Sequence, residues 1–329
     1  MSVRQAPARK EECYMTAENI VYIPTLGRLG NLRKVVPTWL EQDIHVRLVV
    51  ERYEYNDHAK LKREMRWGEE VVVLTQPLSG RGIGYVRNFC VQHADKTGNV
   101  SIIIAEDDTK PLPDSDMVAL LDEADKPYVV GVGVVRAIYD LFTGGKISKM
   151  HGAILCPGGW GMQTFAVNVK TVLRLGNYDP RLHTMGDDPD MMMRGVEAGM
   201  PWRVHCDAKV APIGNRYDPG GVSARFSSLE QRKAAEMECW AMLKKRWPDF
   251  INLSGKSPRF RWKKLYDKYI PEWHEYSALH GGDLAAYDNS PIEGENDLSC
   301  QSKLKLNTSA TQSGMKANIS RQTSSCRQY

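Results

Sequence analysis

Three acids in a row, Glu106-Asp107-Asp108, close the apolar run 100–105 (VSIIIA). Carboxylates this close repel one another, and a divalent cation relieves the repulsion. Their oxygens suit Mg²⁺ or Mn²⁺, with a diphosphate completing the coordination. The plain alternative is a solvated turn, since Lys110 and Pro111 follow. A second acidic group, Gly186-Asp187-Asp188-Pro189-Asp190, opens the helical run 191–199 (MMMRGVEAG). The helix dipole favours acids at such a start, so capping alone accounts for one or two of them. A general base must be a carboxylate or imidazole within reach of the acceptor hydroxyl, which makes Asp187 and Asp188 the candidates. His205 follows the strand-like run 202–204 and is a candidate metal or phosphate contact, although a lone histidine is more often a surface or core residue.

Four further segments have the composition of ligand contacts. The run Ile23-Pro24-Thr25-Leu26-Gly27-Arg28 leads from a strand to a helix, where backbone amides and an arginine suit a diphosphate. Glu51 ends the next strand and can accept hydrogen bonds from a base or ribose. The segment 79–88 (SGRGIGYVRN) places glycines, Arg81 and Arg87 at a helix start, which suits an anion. It is neither GxGxxG after a strand nor GxxxxGK[ST], so a dinucleotide fold is poorly supported and a P-loop is excluded. Around Trp160, the glycines at 158, 159 and 161 let a ligand approach the backbone beside a flat ring on which a sugar stacks. Each segment also has a plain reading as a turn, a solvated strand end or a buried tryptophan.

The elements that must position these residues follow from hydrophobic periodicity. Runs 19–23, 46–50, 71–74 and 100–105 read as strands, and their continuous apolar character suits a parallel sheet covered on both faces. Segment 31–42 reads as a helix despite Pro37. Strands alternating with helices from 19 to about 215 argue for α/β architecture. Beyond it, Ser227 or Ser228 caps a helix with Glu230 or Gln231 as capping-box partner; Met237, Trp240, Leu243 and Trp247 line its face and Pro248 ends it. Residues 244–269 then hold nine Lys and Arg, with Trp247, Phe250, Phe260, Trp262, Tyr266 and Tyr269 interleaved. Residues 290–329 are rich in Ser, Thr, Asn and Gln and are expected to stay disordered.

The chain has 329 residues and a net charge of +4, which argues against a strongly basic polymer binder. Its seven cysteines are widely spaced without CxxC, so a disulfide framework and a structural zinc site are not expected. No apolar run is long enough to cross a membrane and the N-terminus lacks a signal-peptide core; the expected location is a reducing cytoplasm.

The order IPTLGR, strand-end acid, GRGIGYVRN, EDD, GGWGM and DDPDMMMRGVEAG resembles the GT-A nucleotide-sugar glycosyltransferases over about residues 19–215. The resemblance implies a GT-A, Rossmann-like, mixed and mainly parallel sheet flanked by helices, to which composition adds a helical extension and a disordered tail. Together they divide the chain into a lead-in (1–18), a catalytic domain (19–226), the basic and aromatic extension (227–289) and the tail (290–329). In that family a DxD cluster holds metal and nucleotide sugar. Here EDD departs from DxD, and Asp108 is the favoured metal ligand with Glu106 and Asp107 beside it. The family's second acidic motif implies Asp188 as base, Asp187 as second choice, and Arg194 as the motif's arginine. The resemblance further implies that Pro24, Thr25, Arg28 and Glu51 cradle the nucleotide. Arg81, Arg87 and Asn88 then lie near the ribose and diphosphate. The motifs IPTLGR, GxGYxRN and EDD are also similar to the TET-associated glycosyltransferases, largely bacteriophage proteins, which implies a hydroxymethylated pyrimidine in DNA as acceptor. That context would place the enzyme in the host cytoplasm.

These implications join into one expectation: transfer from a UDP-sugar such as UDP-glucose to a hydroxyl, with Mn²⁺ or Mg²⁺ as cofactor. The basic and aromatic stretch suits DNA phosphates and a displaced base. Its plain alternative is an amphipathic region with aromatics packed inward and charges outward. Three rival expectations stay open: another acceptor on the same fold, a nucleotidyltransferase, and a non-catalytic DNA-binding module.

Overall fold

The computed structural model describes residues 18–136, 150–155, 164–213, 226–253 and 259–270. The first strands are β1 (Ile20–Pro24), β2 (His45–Val50), β3 (Val71–Thr75) and β4 (Ser101–Ala105). They fall within a residue or so of the apolar runs read from sequence. β1 pairs parallel to β2 and β4, and β2 parallel to β3. Helices α1 (Leu29–Leu40), α2 (Tyr55–Glu64) and α3 (Ile83–Lys96) connect them.

β-branched residues fill these strands, and alternate side chains enter different cores. Tyr22 and Ile104 pack with α3, whereas Val21, Ile23 and Ile103 pack with α1. α1 and α3 therefore cover opposite faces. The chain leaves β1 to one side and returns to β4 from the other, so the carboxyl ends of β1 and β4 form a topological switch point, where open α/β sheets bind ligands. Pro37 lies inside α1, where a missing N–H and ring clash cost about 3 kcal/mol. Burial of Leu32, Val35, Val36 and Trp39 on one stripe outweighs that cost.

The sheet continues with β5 (Thr109–Pro111), β6 (Gly131–Arg136), β7 (Ala153–Leu155), β8 (Thr164–Asn168) and β9 (Arg203–Pro212). Its order is β3-β2-β1-β4-β8-β6-β9-β5, with β7 on β9. β8 runs antiparallel to both β4 and β6, so the second half of the sheet is mixed. α4 (Met117–Ala124), α5 (Val169–Arg174) and α6 (Asp187–Glu197) pack on it.

Helix α7 (Leu229–Arg246) is capped by Ser228, which accepts from the Gln231 amide, while Ser227 engages the Gln231 side chain. The expected face is partly corrected. Leu243 and Trp247 are buried, but Met237 is exposed and Cys239 is buried in its place. Position 237 lies about 200° round the helix from 239, so both cannot face the core. After the short hairpin β10 (Ile251–Asn252) and β11 (Arg259–Phe260), α8 (Trp262–Tyr269) ends the described chain. Trp262, Leu265 and Tyr266 recur at helical spacing and are buried with Trp247, Phe250 and Phe260 in the same core as Tyr22 and Met192. The aromatics of 247–266 are thus packing residues and cannot stack on a displaced base. Lys263, Lys264 and Lys268 stay exposed. The lead-in, the tail and Lys256 lie outside the described residues. Among the described residues no helix is long and apolar enough to cross a membrane.

Candidate active site

A cleft of about 330 Å³ opens at the switch point. Pro24, Thr25 and Arg28 enter it after β1; Glu106, Asp107 and Asp108 enter after β4; Asp187 and Asp188 enter from the start of α6. Residues more than 150 positions apart in the chain therefore share one cavity, as the sequence reading expects for these eight.

The first cluster forms its floor. Thr25 Oγ1 donates to Asp107 Oδ2 at 2.7 Å, and Arg28 Nη1 donates to Asp107 Oδ1 at 2.8 Å. Burial pushes the Asp107 carboxyl above its ordinary range, against the pull of Arg28 and Thr25. Asp107 is therefore committed inward, holding the β1 and β4 turns together. Asp108 is different: its side chain is 33% exposed and touches Arg28 only at 3.3 Å. Its Oδ2 accepts that contact, and the side chain lines the cleft.

The second cluster forms the opposite wall. Gly186 takes a left-handed conformation before α6, and the amino end of the helix presents Asp187 and Asp188. Arg87, buried on α3, donates to Asp187 Oδ2 at 2.7 Å and also pairs closely with Asp188. Its guanidinium lies over the Phe165 ring, 5.1 Å from the centroid. Two carboxylates share one guanidinium. Burial pushes the Asp188 carboxyl up to about 7, with Arg87 pulling it down and Asp187 pushing it up. A carboxyl poised near neutrality suits a general base, because it is ionised often and still binds a proton well.

Several residues that the resemblance aims at the nucleotide have partners within the protein. Arg87 lines the cleft and is paired with both acids. Asn88 donates from Nδ2 to the Tyr178 carbonyl at 2.8 Å and thereby ties α3 to the 177–182 segment. Glu51 is buried, and both its oxygens accept from the Gly80 amide at 3.1 Å, so it holds the glycine-rich turn from beneath. Arg81 is exposed outside the cleft.

The glycine-rich turn itself is a packing device. The Ile83 and Gly84 amides donate to the carbonyls of His183 and Leu182 at 3.0 and 3.3 Å, which removes them as anion donors. Gly82 has φ +91°, and a Cβ there would meet the His183 carbonyl oxygen at 2.0 Å. Only glycine permits that approach.

His205 does not join the site. It sits on β9 opposite Ala153, buried beside Asp207, whereas Asp108 meets β9 at its far end through the Ile213 amide at 2.8 Å. It cannot share a metal with Asp108. Arg194 is likewise structural, bonded to Asp190 one turn back and to the Leu175 carbonyl. Gly159 and Trp160 lie outside the described residues. Among the described residues no group of three or more His, Cys, Asp or Glu is arranged as a protein-only metal cage.

The sequence reading passes over several cleft residues, Arg232 and Gln76 among them. Arg232, on α7, reaches the cavity from a part of the chain whose register on the sheet no local pattern reveals. Gln76 follows β3 directly, so reading the carboxyl end of every strand would have found it.

An open sheet with this switch-point cleft and strand-end acids is the GT-A arrangement, and comparison with known proteins agrees. A mannosyltransferase from Pyrobaculum calidifontis, solved with GDP-Man and Mn²⁺, superposes with a TM-score of 0.52 at 16% identity, covering 88% of this chain and 79% of that one. That likeness establishes the fold. Residues 19–115 match the family model for TET-Associated Glycosyltransferase. No curated protein matches. The fold and the family match over residues 19–115 together support a GT-A glycosyltransferase.

Proposed function

We propose that the chain moves a sugar from a UDP-sugar, UDP-glucose foremost, to the hydroxyl of a hydroxymethylated pyrimidine in DNA. The observation that carries the reading is one cleft with two acidic walls of different character. Asp107 and Asp108 stand with Arg28 on one side; Asp188, raised towards neutrality, stands on the other.

The chemistry follows from that division. Arg28 offers positive charge to the donor's diphosphate. Asp188 takes the proton of the acceptor hydroxyl as its oxygen bonds to the anomeric carbon. The bond from that carbon to the diphosphate oxygen breaks, and the nucleoside diphosphate leaves. Attack opposite the leaving group inverts the anomeric centre. Arg87 keeps the base oriented, and Asp187 keeps Arg87 neutralised after the proton moves.

The residues fit a divalent cation. Mg²⁺-type ions are held by one or two carboxylates plus substrate phosphates, so an open Asp108 beside Glu106 suffices without a protein cage. Bound there, Mn²⁺ or Mg²⁺ supplies a Lewis acid for the leaving diphosphate. Asp108→Asn is expected to lower transfer at least about 100-fold at fixed metal while leaving the melting temperature intact. Titration of activity with Mn²⁺, alongside thermal melts, checks both parts.

Two features support the DNA acceptor: the family description and the exposed Arg261, Lys263, Lys264 and Lys268 of the α8 region, whose charge suits phosphates. The test is incubation with hydroxymethylated or unmodified DNA and a panel of nucleotide sugars, read by mass spectrometry of the released nucleosides. A one-hexose gain only on the hydroxymethylated base is expected. Release of nucleoside diphosphate with no DNA product would overturn the acceptor and keep the transferase.

A further inference from the structure

We infer that Gln76 is the group that reads the nucleobase of the donor, and that it fits an edge with one donor beside one acceptor, such as uracil's, better than guanine's. The inference rests on the donor reading above and adds the residue that selects among donors.

Gln76 is 3% exposed, yet it lines the cleft. Its backbone amide donates to the Val50 carbonyl at 3.1 Å, but its side-chain Oε1 finds no partner among the described residues. Leaving a buried amide unsatisfied costs about 1–3 kcal/mol. A binding partner that completes it recovers that cost, so the orphaned amide is a recognition group held ready on a strand end.

Its place in the sheet says which part of the donor it meets. Gln76 follows β3, whereas Arg28 and Asp108 follow β1 and β4. The order β3-β2-β1-β4 puts three strand spacings, about 14 Å, between the ends of β3 and β4. An extended nucleoside diphosphate spans such a gap. With its diphosphate at Arg28 and Asp108, its base arrives at Gln76. Val49 and Leu26 supply apolar surface between the two, and Tyr53 and Leu78 are exposed three residues beyond the ends of β2 and β3. A flat ring can be covered there.

The hydrogen-bond inventory favours a base edge with one donor beside one acceptor over that of guanine. A primary amide offers one acceptor and one donor side by side. Uracil presents an N–H beside a carbonyl, and cytosine and adenine an amino group beside a ring nitrogen, so both are paired. Guanine adds an amino group to that edge, and a single amide leaves it unpaired, a cost of the same order as the orphan it replaces. Glu51, the nearest carboxylate in the strand order, is already bonded to the Gly80 amide.

Calorimetric titration of the full chain with UDP, GDP, ADP and CDP in Mn²⁺ tests this. The expected result is tighter binding of UDP than of GDP, with UDP binding weakened about 10-fold or more in Gln76→Leu. The melting temperature of that variant should be equal or higher, since it removes an unsatisfied amide; a purely structural glutamine would lower it. Gln76→Glu, which only accepts, should shift preference towards GDP. UDP affinity unchanged in Gln76→Leu would overturn the inference and leave the donor reading standing. Tightest binding of GDP by the wild type would overturn the edge assignment. Binding of none of the four would overturn the inference and the donor reading together.

Discussion

Asp188→Asn is expected to lower kcat for sugar transfer by about 10²- to 10⁴-fold, the range for losing a positioned base. Donor affinity should change little, because Asp188 stands on the wall opposite Arg28 and Asp108. The fold should survive: Arg87 keeps its 2.7 Å bond to Asp187, so its buried charge stays paired. Asparagine keeps the shape of the side chain and loses its charge and its capacity to take a proton. Initial rates at saturating donor and acceptor, with calorimetric donor binding in parallel, separate the two effects. A fall in affinity with unchanged kcat would assign Asp188 to binding.

The second large effect is on stability and lies two residues further along the same helix. Asp190 is fully buried and accepts three hydrogen bonds. Its Oδ2 receives Arg194 Nε at 3.0 Å, with Arg194 Nη2 in ion-pair contact at 2.9 Å. Its Oδ1 receives Arg246 Nη1 at 2.6 Å and Trp247 Nε1 at 3.1 Å. This carboxylate joins α6, which carries the base, to the end of α7. Asp190→Ala removes one anion and strands cations gathered around it, which costs about 3–5 kcal/mol. In a chain of this size that lowers the melting temperature by about 10 °C. Arg246 retains Asp179 at 2.6 Å, so the loss should stay short of complete unfolding. Thermal melts with urea titration measure it; a change below about 1 kcal/mol would show that the hub does not hold α7 to α6.

What the sequence made legible was local. Strands β1 to β4 announce themselves through β-branched runs, and the rule that ligands gather at strand ends led directly to Arg28 and the 106–108 acids. The acids before α6 were equally visible. What stayed hidden was which side chains meet across the fold. Arg87 and Asp188 are 101 residues apart, and nothing in GYVRN tells an arginine that neutralises two acids from one that waits for a phosphate. Glu51 looked like a ribose acceptor because the amide that occupies it lies on another loop. The glycines at 82 and 84 looked like an anion cradle, since the carbonyls that claim their turn belong to residues 182 and 183. The aromatics from 247 to 266 read either as base-stacking or as core. The spacing of Trp262, Leu265 and Tyr266 is that of a buried helical stripe, and packing is what they do.

The pH dependence of acceptor-dependent transfer tests the central claim most directly. Asp188 must be ionised to accept a proton, and burial holds its carboxyl up to about 7. kcat/KM should therefore rise as pH increases through neutrality and level off above it. In Arg87→Met, which removes the cation that favours the ionised form, the rise should move to higher pH. A profile flat from about pH 5 to about pH 8 in the wild type, or one unmoved in Arg87→Met, would contradict Asp188 as the base that the Arg87 pair holds ready.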